Sequence, residues 1–268
     1  MDESLDYAFP HAADDEARRL ELFQQRLDPL TIRRIERLGL GASAACLEIG
    51  GGRGSITRWL AGHVGPEGHV VATDLQVDFL RADAPPNVEV LRHDIRTETF
   101  PAESFDLVHT RAVLMHIPDD RALLPRMVSW LRPGGWLLLE EPDFGMWLAD
   151  ADPLWRAHPD AWHRTFPNGS LSRGRALLEQ VPTLGLEEVG ADAELDVVAP
   201  GTDLGEFYRL SMNAIAPSAI SAGVLTPHEA AAHADHVNEP EFLGCGFVHI
   251  GVWGRRPRRD LDADHDRE

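Results

Sequence analysis

The stretch that decides the fold is Leu47-Glu48-Ile49-Gly50-Gly51-Gly52-Arg53-Gly54. It continues the apolar run 45–49, and an amphipathic segment follows it. Glycine lets the backbone turn sharply and approach a ligand closely. In an open α/β sheet, ligands bind at the carboxyl ends of the strands, where these glycines stand. The stretch therefore predicts a strand, a ligand-binding turn and a helix in that order.

A glycine-rich turn of this kind can serve a dinucleotide, a phosphate or S-adenosylmethionine, and three details separate them. Counting from Gly50, the sixth position is Ser55, so the dinucleotide fingerprint fails. Glu48, two residues before the first glycine, would repel a pyrophosphate and would suit a cation such as an ammonium. Asp74 closes the next apolar run, where a carboxylate can accept both hydroxyls of a ribose. These details favour a nucleoside ligand that carries a cation.

Short apolar runs alternate with longer amphipathic stretches after about Ala44. This alternation is typical of a parallel sheet covered by helices on both faces. The expected strands are Ala45–Ile49, Val70–Thr73, Val88–Leu91, Phe105–His109, Trp136–Leu139 and Phe247–Trp253, with a strand-pair element at Leu186–Val198. The apolar face of one further helix is Leu123, Leu124, Met127, Val128 and Leu131, with Asp119 or Asp120 as its cap and Pro133-Gly134-Gly135 as its end.

The chain divides into three expected regions. Residues 1–40 predict a helical cap with a break at Asp28-Pro29, because Asp can cap a new helix and Pro suits its first turn. Residues 41–254 form the main domain, with a helical insertion at 203–238 that breaks at Pro217. Residues 255–268 are charged and predict a disordered tail.

Composition excludes several function classes. The net charge of −19 repels nucleic acid and anionic membranes, so we expect neither as a partner. Lysine is absent, which removes Schiff-base chemistry and a P-loop lysine. No apolar run is long enough to span a membrane, and residues 1–10 do not form a signal peptide, so we expect a cytoplasmic protein. The two cysteines are too few for a disulfide framework.

Three more segments extend the pattern of the glycine turn. They are Arg92-His93-Asp94-Ile95, the run Phe105 to Asp119, and Leu131-Arg132-Pro133-Gly134-Gly135-Trp136-Leu137. Together and in this order, the four segments resemble the class I S-adenosylmethionine-dependent methyltransferase family. The likeness is greatest to methyltransferases of the ubiquinone/menaquinone type and to their relatives in natural-product biosynthesis. It implies a Rossmann-like α/β fold, with a mostly parallel seven-stranded sheet flanked by helices.

The resemblance also implies cofactor-binding roles. Glu48 and the backbone around Gly50 and Gly52 would hold the methionine end of S-adenosylmethionine, and Asp74 would bind its ribose. The other residues implied are Asp94 for the adenine amino group, Leu75 and Ile95 beside the adenine ring, and His109 and Thr110 near the sulfonium. Two simpler interpretations stay open, because Asp94 could cap a helix and His109 could be a core histidine.

The acceptor side of the site is less marked. An aromatic stretch, 144–166, follows the fifth strand, and from it Trp147 and Trp162 are expected to line a substrate pocket. If the acceptor is a hydroxyl, a histidine suits the general base, and the candidates are His116, His158 and His163. No metal site is expected, since His228 and His233 are five residues apart rather than the four that a zinc helix needs.

The predicted function is methyl transfer from S-adenosylmethionine to O, N or C of a small, partly hydrophobic metabolite. One rival is an S-adenosylmethionine-binding enzyme of the same fold that catalyses a different reaction, such as a cyclisation. The others are a nicotinamide-dependent oxidoreductase and a non-catalytic regulatory protein. The missing sixth-position glycine is evidence against the oxidoreductase, and Asp74 is evidence against the regulatory protein. A homodimer stays open.

Overall fold

The computed structural model describes residues 14–118, 122–146, 170–221, 223 and 225–259. Its seven strands are β1 (Ala45–Ile49), β2 (His69–Asp74), β3 (Val88–Arg92), β4 (Phe105–Arg111), β5 (Leu131–Asp143), β6 (Glu187–Val198) and β7 (Gly244–Arg255). The helices described are α1 (Asp14–Leu38), α2 (Ser55–Val64), α3 (Asp78–Ala82), α4 (Leu123–Trp130), α5 (Arg173–Gln180), α6 (Asp203–Ser221) and α7 (Pro227–His236).

All seven strands form one sheet, in the order β3-β2-β1-β4-β5-β7-β6. Neighbours among β1 to β5 pair in parallel, whereas β7 runs antiparallel to both β5 and β6. The order reverses at β1, so the carboxyl ends of β1 and β4 flank a switch point, where such sheets bind ligands. The predicted Rossmann-like fold with a mostly parallel seven-stranded sheet is confirmed.

The two faces of the sheet are covered by different helices. Cys46, Leu107 and Leu138 pack with Ile35 of α1 and Leu60 of α2. The alternate residues of the same strands, such as Leu47, Val108 and Leu139, belong to a second cluster that includes residues of α4 and α5. Both sets are almost fully buried. This explains why these strands read as continuous apolar runs rather than as alternating ones.

The predicted break at Asp28-Pro29 is wrong, because α1 continues through it to Leu38. Proline inside a helix costs about 3 kcal/mol, since it lacks an N–H and its ring crowds the preceding turn. Burial offsets that cost on both sides of the proline, through Leu22 and Leu27 before it and Leu30 and Ile35 after it. Tertiary packing therefore overrides the local signal.

The predicted break at Pro217 is wrong for the same reason. Pro217 lies inside α6, which ends at Ser221, and Ile215 and Ala219 on either side of it are buried. The next helix, α7, starts instead at a capping box formed by Thr226 and Glu229.

The remaining strand and tail boundaries are also refined. Residues 187–198 form the single strand β6, not a strand pair. Leu131 opens β5 rather than closing α4. Of the residues predicted to form a disordered tail, Arg255 belongs to β7, and Arg256 and Arg259 donate to Glu103 at 3.1 and 2.6 Å. Residues 260–268, like Asp119 and Asp120, lie outside the described residues.

None of the described helices is long and apolar enough to cross a membrane.

Candidate functional site

The glycine-rich turn joins β1 to α2 and is held by the end of β2. The amides of Gly50 and Gly51 donate to the carbonyl of Thr73 at 2.8 and 3.0 Å. Gly50 has φ +74°, and a Cβ built on it would lie 2.1 Å from Cγ2 of Val113. Gly52 also has a positive φ, +55°, but its Cβ direction is open, with nothing within 4 Å. The turn thus packs tightly at Gly50 and leaves space at Gly52.

Asp74 stands at the carboxyl end of β2, facing this turn. Its Oδ2 accepts from the amide of Gly52 at 3.0 Å, and its Oδ1 accepts from the amide of Gln76 at 3.1 Å. Each oxygen keeps a further lone pair, because a carboxylate offers about four acceptor sites. The structure therefore brings Asp74 and Gly52 together, as the sequence predicted, with acceptor capacity to spare.

Glu48 lies beneath the turn rather than on an open surface. Its side chain is buried, and Oε2 accepts a hydrogen bond from the hydroxyl of Thr57 on α2. Burial raises the pKa of the Glu48 carboxyl, while nearby His109 and the Thr57 hydrogen bond oppose that rise. A cation bound close by would favour the ionised form that burial disfavours.

His109 and Thr110 lie near the carboxyl end of β4, next to Glu48 and Ile49, their register partners on β1. Both side chains are buried. Nε2 of His109 lies 2.8 Å from Oε2 of Glu140, whereas its Nδ1 and the Thr110 hydroxyl have no hydrogen-bond partner within the described ranges. A buried polar atom left without a partner costs free energy, so these two atoms are candidate contacts for a polar ligand.

Sequence reasoning missed Glu140, which connects His109 to helix α1. Glu140 pairs with Arg34, and Arg34 also donates to Asp192 of β6 at 2.6 Å. Burial opposes ionisation of Glu140, but the hydrogen bond and charge of His109, together with Arg34, outweigh it and lower the pKa to about 2. The sequence could have indicated Glu140, because Glu140 and Glu141 directly follow the predicted strand Trp136–Leu139, much as Asp74 follows the predicted strand Val70–Thr73.

Asp28 of α1 is a second residue whose contacts near the site the sequence did not predict. Its Oδ1 accepts from Ser55, the first residue of α2, at 3.0 Å and from Arg111 at 2.9 Å. Arg111 also donates to Thr31 at 2.9 Å. Helix α1 is therefore bound by charged groups to both the glycine turn and the end of β4.

The residues expected at the adenine end lie after β2 and β3. Ile95 is buried and Leu75 is 37% exposed, so both can present apolar surface. Asp94 accepts from the Arg96 guanidinium at 2.6 to 3.1 Å, and this hydrogen bonding lowers the pKa of its carboxyl. The stretch after Asp94 is a turn and not a helix, so Asp94 does not cap a helix.

His116 ends the short 3-10 helix Leu114–His116, which follows β4. Burial lowers the pKa of its imidazole to about 4, and the positive charge of Arg19 adds to the effect. His116 is therefore neutral near pH 7 and a weaker base than an ordinary histidine. The other candidate bases, His158 and His163, and the predicted pocket residues Trp147 and Trp162 lie outside the described residues.

In the ranges that the structure describes, no group of three or more His, Cys, Asp or Glu side chains is placed to hold a metal ion.

Comparison with known proteins begins with a family model described as "Methyltransferase domain", which matches residues 23–188. "Methyltransferase str2" of Strobilurus tenacellus is 38% identical over 109 residues, which are 39% of this chain and 38% of that protein. The "Ubiquinone/menaquinone biosynthesis C-methyltransferase UbiE" of Hahella chejuensis is 33% identical over 115 residues, 40% of this chain and 46% of that protein. The chain thus covers less than half the length of these two relatives.

Solved structures show the same fold. Phosphoethanolamine N-methyltransferase 2 of Haemonchus contortus, in complex with S-adenosyl-L-methionine, matches with TM-score 0.56 and 17% identity, covering 86% of this chain and 53% of that one. The [4+2]-cyclase SpnF matches with TM-score 0.54 and 19% identity, covering 88% and 82%. At such identities these likenesses concern the fold alone. Because the family model spans more than half of the residues and the sheet is the one that this family's resemblance implied, the chain belongs to the class I S-adenosylmethionine-dependent methyltransferase family.

Proposed function

We propose that this protein binds S-adenosylmethionine and transfers its methyl group to a small molecule. One observation carries the proposal: the Asp74 carboxylate accepts from the Gly52 amide at 3.0 Å, and Gly52 itself is left-handed, with open space in its Cβ direction. Acceptor oxygens and open backbone at one point suit the ribose and the methionine end of a nucleoside cofactor. The Thr110 hydroxyl and His109 Nδ1, which have no hydrogen-bond partner in the part of the chain that the structure describes, support the same placement.

The proposed binding roles follow from these positions. Asp74 accepts from the ribose hydroxyls, and the backbone of Gly50 and Gly52 approaches the methionine end. Glu48 places a buried carboxyl beneath the turn, and the cationic cofactor would favour its ionised form, which burial alone disfavours. Asp94 accepts from the adenine amino group, Leu75 and Ile95 flank the adenine ring, and His109 and Thr110 face the sulfonium region. The same chemistry does not suit NAD, whose pyrophosphate Glu48 would repel.

When bound, S-adenosylmethionine supplies an already activated methyl group. The chain's own residues then have to align the acceptor for in-line attack and keep water out. A hydroxyl acceptor would need a base to take its proton, for which His116, His158 and His163 are proposed. Since the pKa of His116 is lowered to about 4, His116 is a weaker base near neutral pH than an ordinary histidine.

An apolar cluster beside the site supports a partly hydrophobic acceptor. It joins Leu22 of α1, Met115 of the turn after β4, Phe144 after β5 and Phe207 of α6. Leu22, Phe144 and Phe207 belong to the cap, the aromatic stretch and the insertion, which we propose form the acceptor pocket together. With the net charge of −19, they favour a neutral or cationic metabolite over a highly anionic one.

Calorimetry tests the cofactor, with S-adenosylmethionine and NAD titrated in parallel into the full chain. We expect heat of binding for the former only; binding of NAD alone would refute the proposal. Incubation with candidate metabolites of the polyketide, quinone and alkaloid classes should then yield a product heavier by one methyl group, detected by mass spectrometry.

A second candidate function is a cofactor-assisted cyclisation without methyl transfer. The fold match to the [4+2]-cyclase SpnF favours keeping it, because that protein shares the sheet and helices described here. A product of unchanged mass, formed only when S-adenosylmethionine is bound, would support the cyclisation and exclude methyl transfer. With the first function we also propose a place in secondary metabolism, a cytoplasmic location and a homodimer.

A further inference from the structure

Glu141 is a buried acid at the carboxyl end of β5 that no proposed binding role uses. Its side chain is 2% exposed. Oε1 accepts from the amides of Val113 and Leu114 at 3.0 and 2.7 Å, and Oε2 accepts from the amide of Met115 at 3.1 Å. Three consecutive backbone donors on one carboxylate are the pattern of an anion-binding nest. Here the anion comes from the protein itself.

Residues 112–116, here named the β4 turn, begin in a strained backbone conformation. Ala112 has φ +54°, a left-handed conformation that a residue with a Cβ adopts only at a cost in free energy. Its amide donates to the carbonyl of Glu140 at 2.8 Å. The hydrogen bonds from the next three amides to Glu141 thus offset the strain at the start of the turn.

The β4 turn touches the glycine-rich turn directly. Val113 fills the space beside Gly50, where an added Cβ would lie 2.1 Å from its Cγ2. At its other end the turn carries His116, one of the proposed bases. A shift of the β4 turn would therefore move a wall of the cofactor site and a candidate base together.

We propose that Glu141 is a positioning residue that fixes the β4 turn against the cofactor-binding glycines. The inference rests on the proposed function, since it takes the glycine turn to be the S-adenosylmethionine site. Glu141 acts through Val113 and its neighbours and does not itself touch the ligand. The raised pKa of this carboxyl, about 7, which burial causes, makes the coupling observable near neutral pH.

Several charged groups face Glu141 and enter any pH measurement. Arg173 on α5 favours its ionised form. Glu141 also lines a small cavity with Arg34, Arg111, Glu140 and His249. A glutamine at position 141 keeps one oxygen but turns an NH₂ group toward one backbone N–H. It therefore replaces an acceptor by a donor and removes the ionisation, with little change in volume.

The experiment compares the wild type, Glu141→Gln and, as a control for charge loss, Glu187→Gln at an exposed position on β6. Hydrogen exchange by mass spectrometry, without ligand, should be faster in Glu141→Gln for a peptide covering 112–116. Calorimetry with S-adenosylhomocysteine at pH 8 should show binding weakened by roughly tenfold. The difference in affinity between the wild type and Glu141→Gln should narrow below pH 7, because the wild-type carboxyl then takes up a proton and is neutral, as the glutamine is. The control should match the wild type throughout.

The outcomes separate the inference from the proposed function. A wild type that binds no S-adenosylhomocysteine would refute the function, while the exchange data would still test the coupling without any ligand. Unchanged exchange at 112–116 would overturn the inference. So would equal affinity of the wild type and a folded Glu141→Gln, or a gap between them that does not vary with pH, which would indicate a merely structural loss.

Discussion

Nε2 of His109 lies 2.8 Å from Oε2 of Glu140, and both side chains are buried. Arg34 of α1 pairs with the other oxygen of the same carboxylate. The carboxylate thus joins the end of β4, the end of β5 and the N-terminal helix. A buried acid in this position is tolerated because both of its oxygens have a hydrogen-bonding partner that can carry positive charge.

Replacing Glu140 should lower the stability of the protein, because the Glu140 carboxylate pairs with both His109 and Arg34. Glu140→Gln leaves Arg34 paired with the partly exposed Asp192, so the loss should be at most about 3–5 kcal/mol, the cost of breaking a buried pair. The pKa of Glu140 is lowered from 4.5 to about 2, so its ionised form stabilises the fold above about pH 4.5 and loses that effect as pH falls toward 2. Urea unfolding should show the gap between wild type and variant narrowing by about 3 kcal/mol over that window. A gap independent of pH would contradict the ionised pair.

Glu141 should have the opposite effect on stability. Burial raises its pKa from 4.5 to about 7, so the folded state holds its proton more tightly than the unfolded state does. Its contribution to stability is complete below about pH 4.5 and is lost as pH rises to about 7, by up to about 3 kcal/mol. Glu141→Gln should lack this slope, which urea unfolding from pH 5 to 8 would measure. An identical slope in both proteins would assign it to other groups.

Removing the Asp74 carboxylate should weaken cofactor binding. Asp74→Ala takes away the acceptor proposed for the ribose hydroxyls, and hydrogen bonds to a charged group contribute about 1.5–3 kcal/mol each. We expect the Kd for S-adenosylhomocysteine to rise by at least roughly tenfold in calorimetry. Asp83→Ala, on an exposed aspartate after α3, is the matched control and should bind normally. Unchanged affinity in a folded Asp74→Ala would mean that the ribose binds elsewhere.

Trp147 and Trp162 test the acceptor pocket. If they line it, Trp147→Ala and Trp162→Ala should each reduce methyl transfer while leaving the Kd for S-adenosylmethionine nearly unchanged. Both values must be measured on variants whose circular dichroism matches that of the wild type. Equal loss of turnover and of cofactor affinity would mean that these residues support the fold or the cofactor site instead.

The sequence by itself determined the sheet and placed the residues proposed to bind the cofactor at one edge of it. Short continuous apolar runs, separated by amphipathic stretches, predict the strands, because a strand buried on both faces has to be apolar along its length. Gly50 to Gly54 follow the first strand, and Asp74 ends the second. Parallel strands bring their carboxyl ends to one edge of the sheet, so the glycines and Asp74 are expected to lie together there. These are local signals, each contained in a stretch of a few residues.

Only the tertiary structure decided which distant groups meet. Pro29 and Pro217 remain within helices because packing on both sides outweighs a local cost that the sequence shows plainly. Arg34 and Glu140 are 106 positions apart, and the contact of Glu141 with the β4 turn joins two different strand ends. Long-range pairs of this kind depend on the order of strands and the placement of α1. No periodicity within a single segment encodes that arrangement, so the role of these buried acids emerges only in the folded chain.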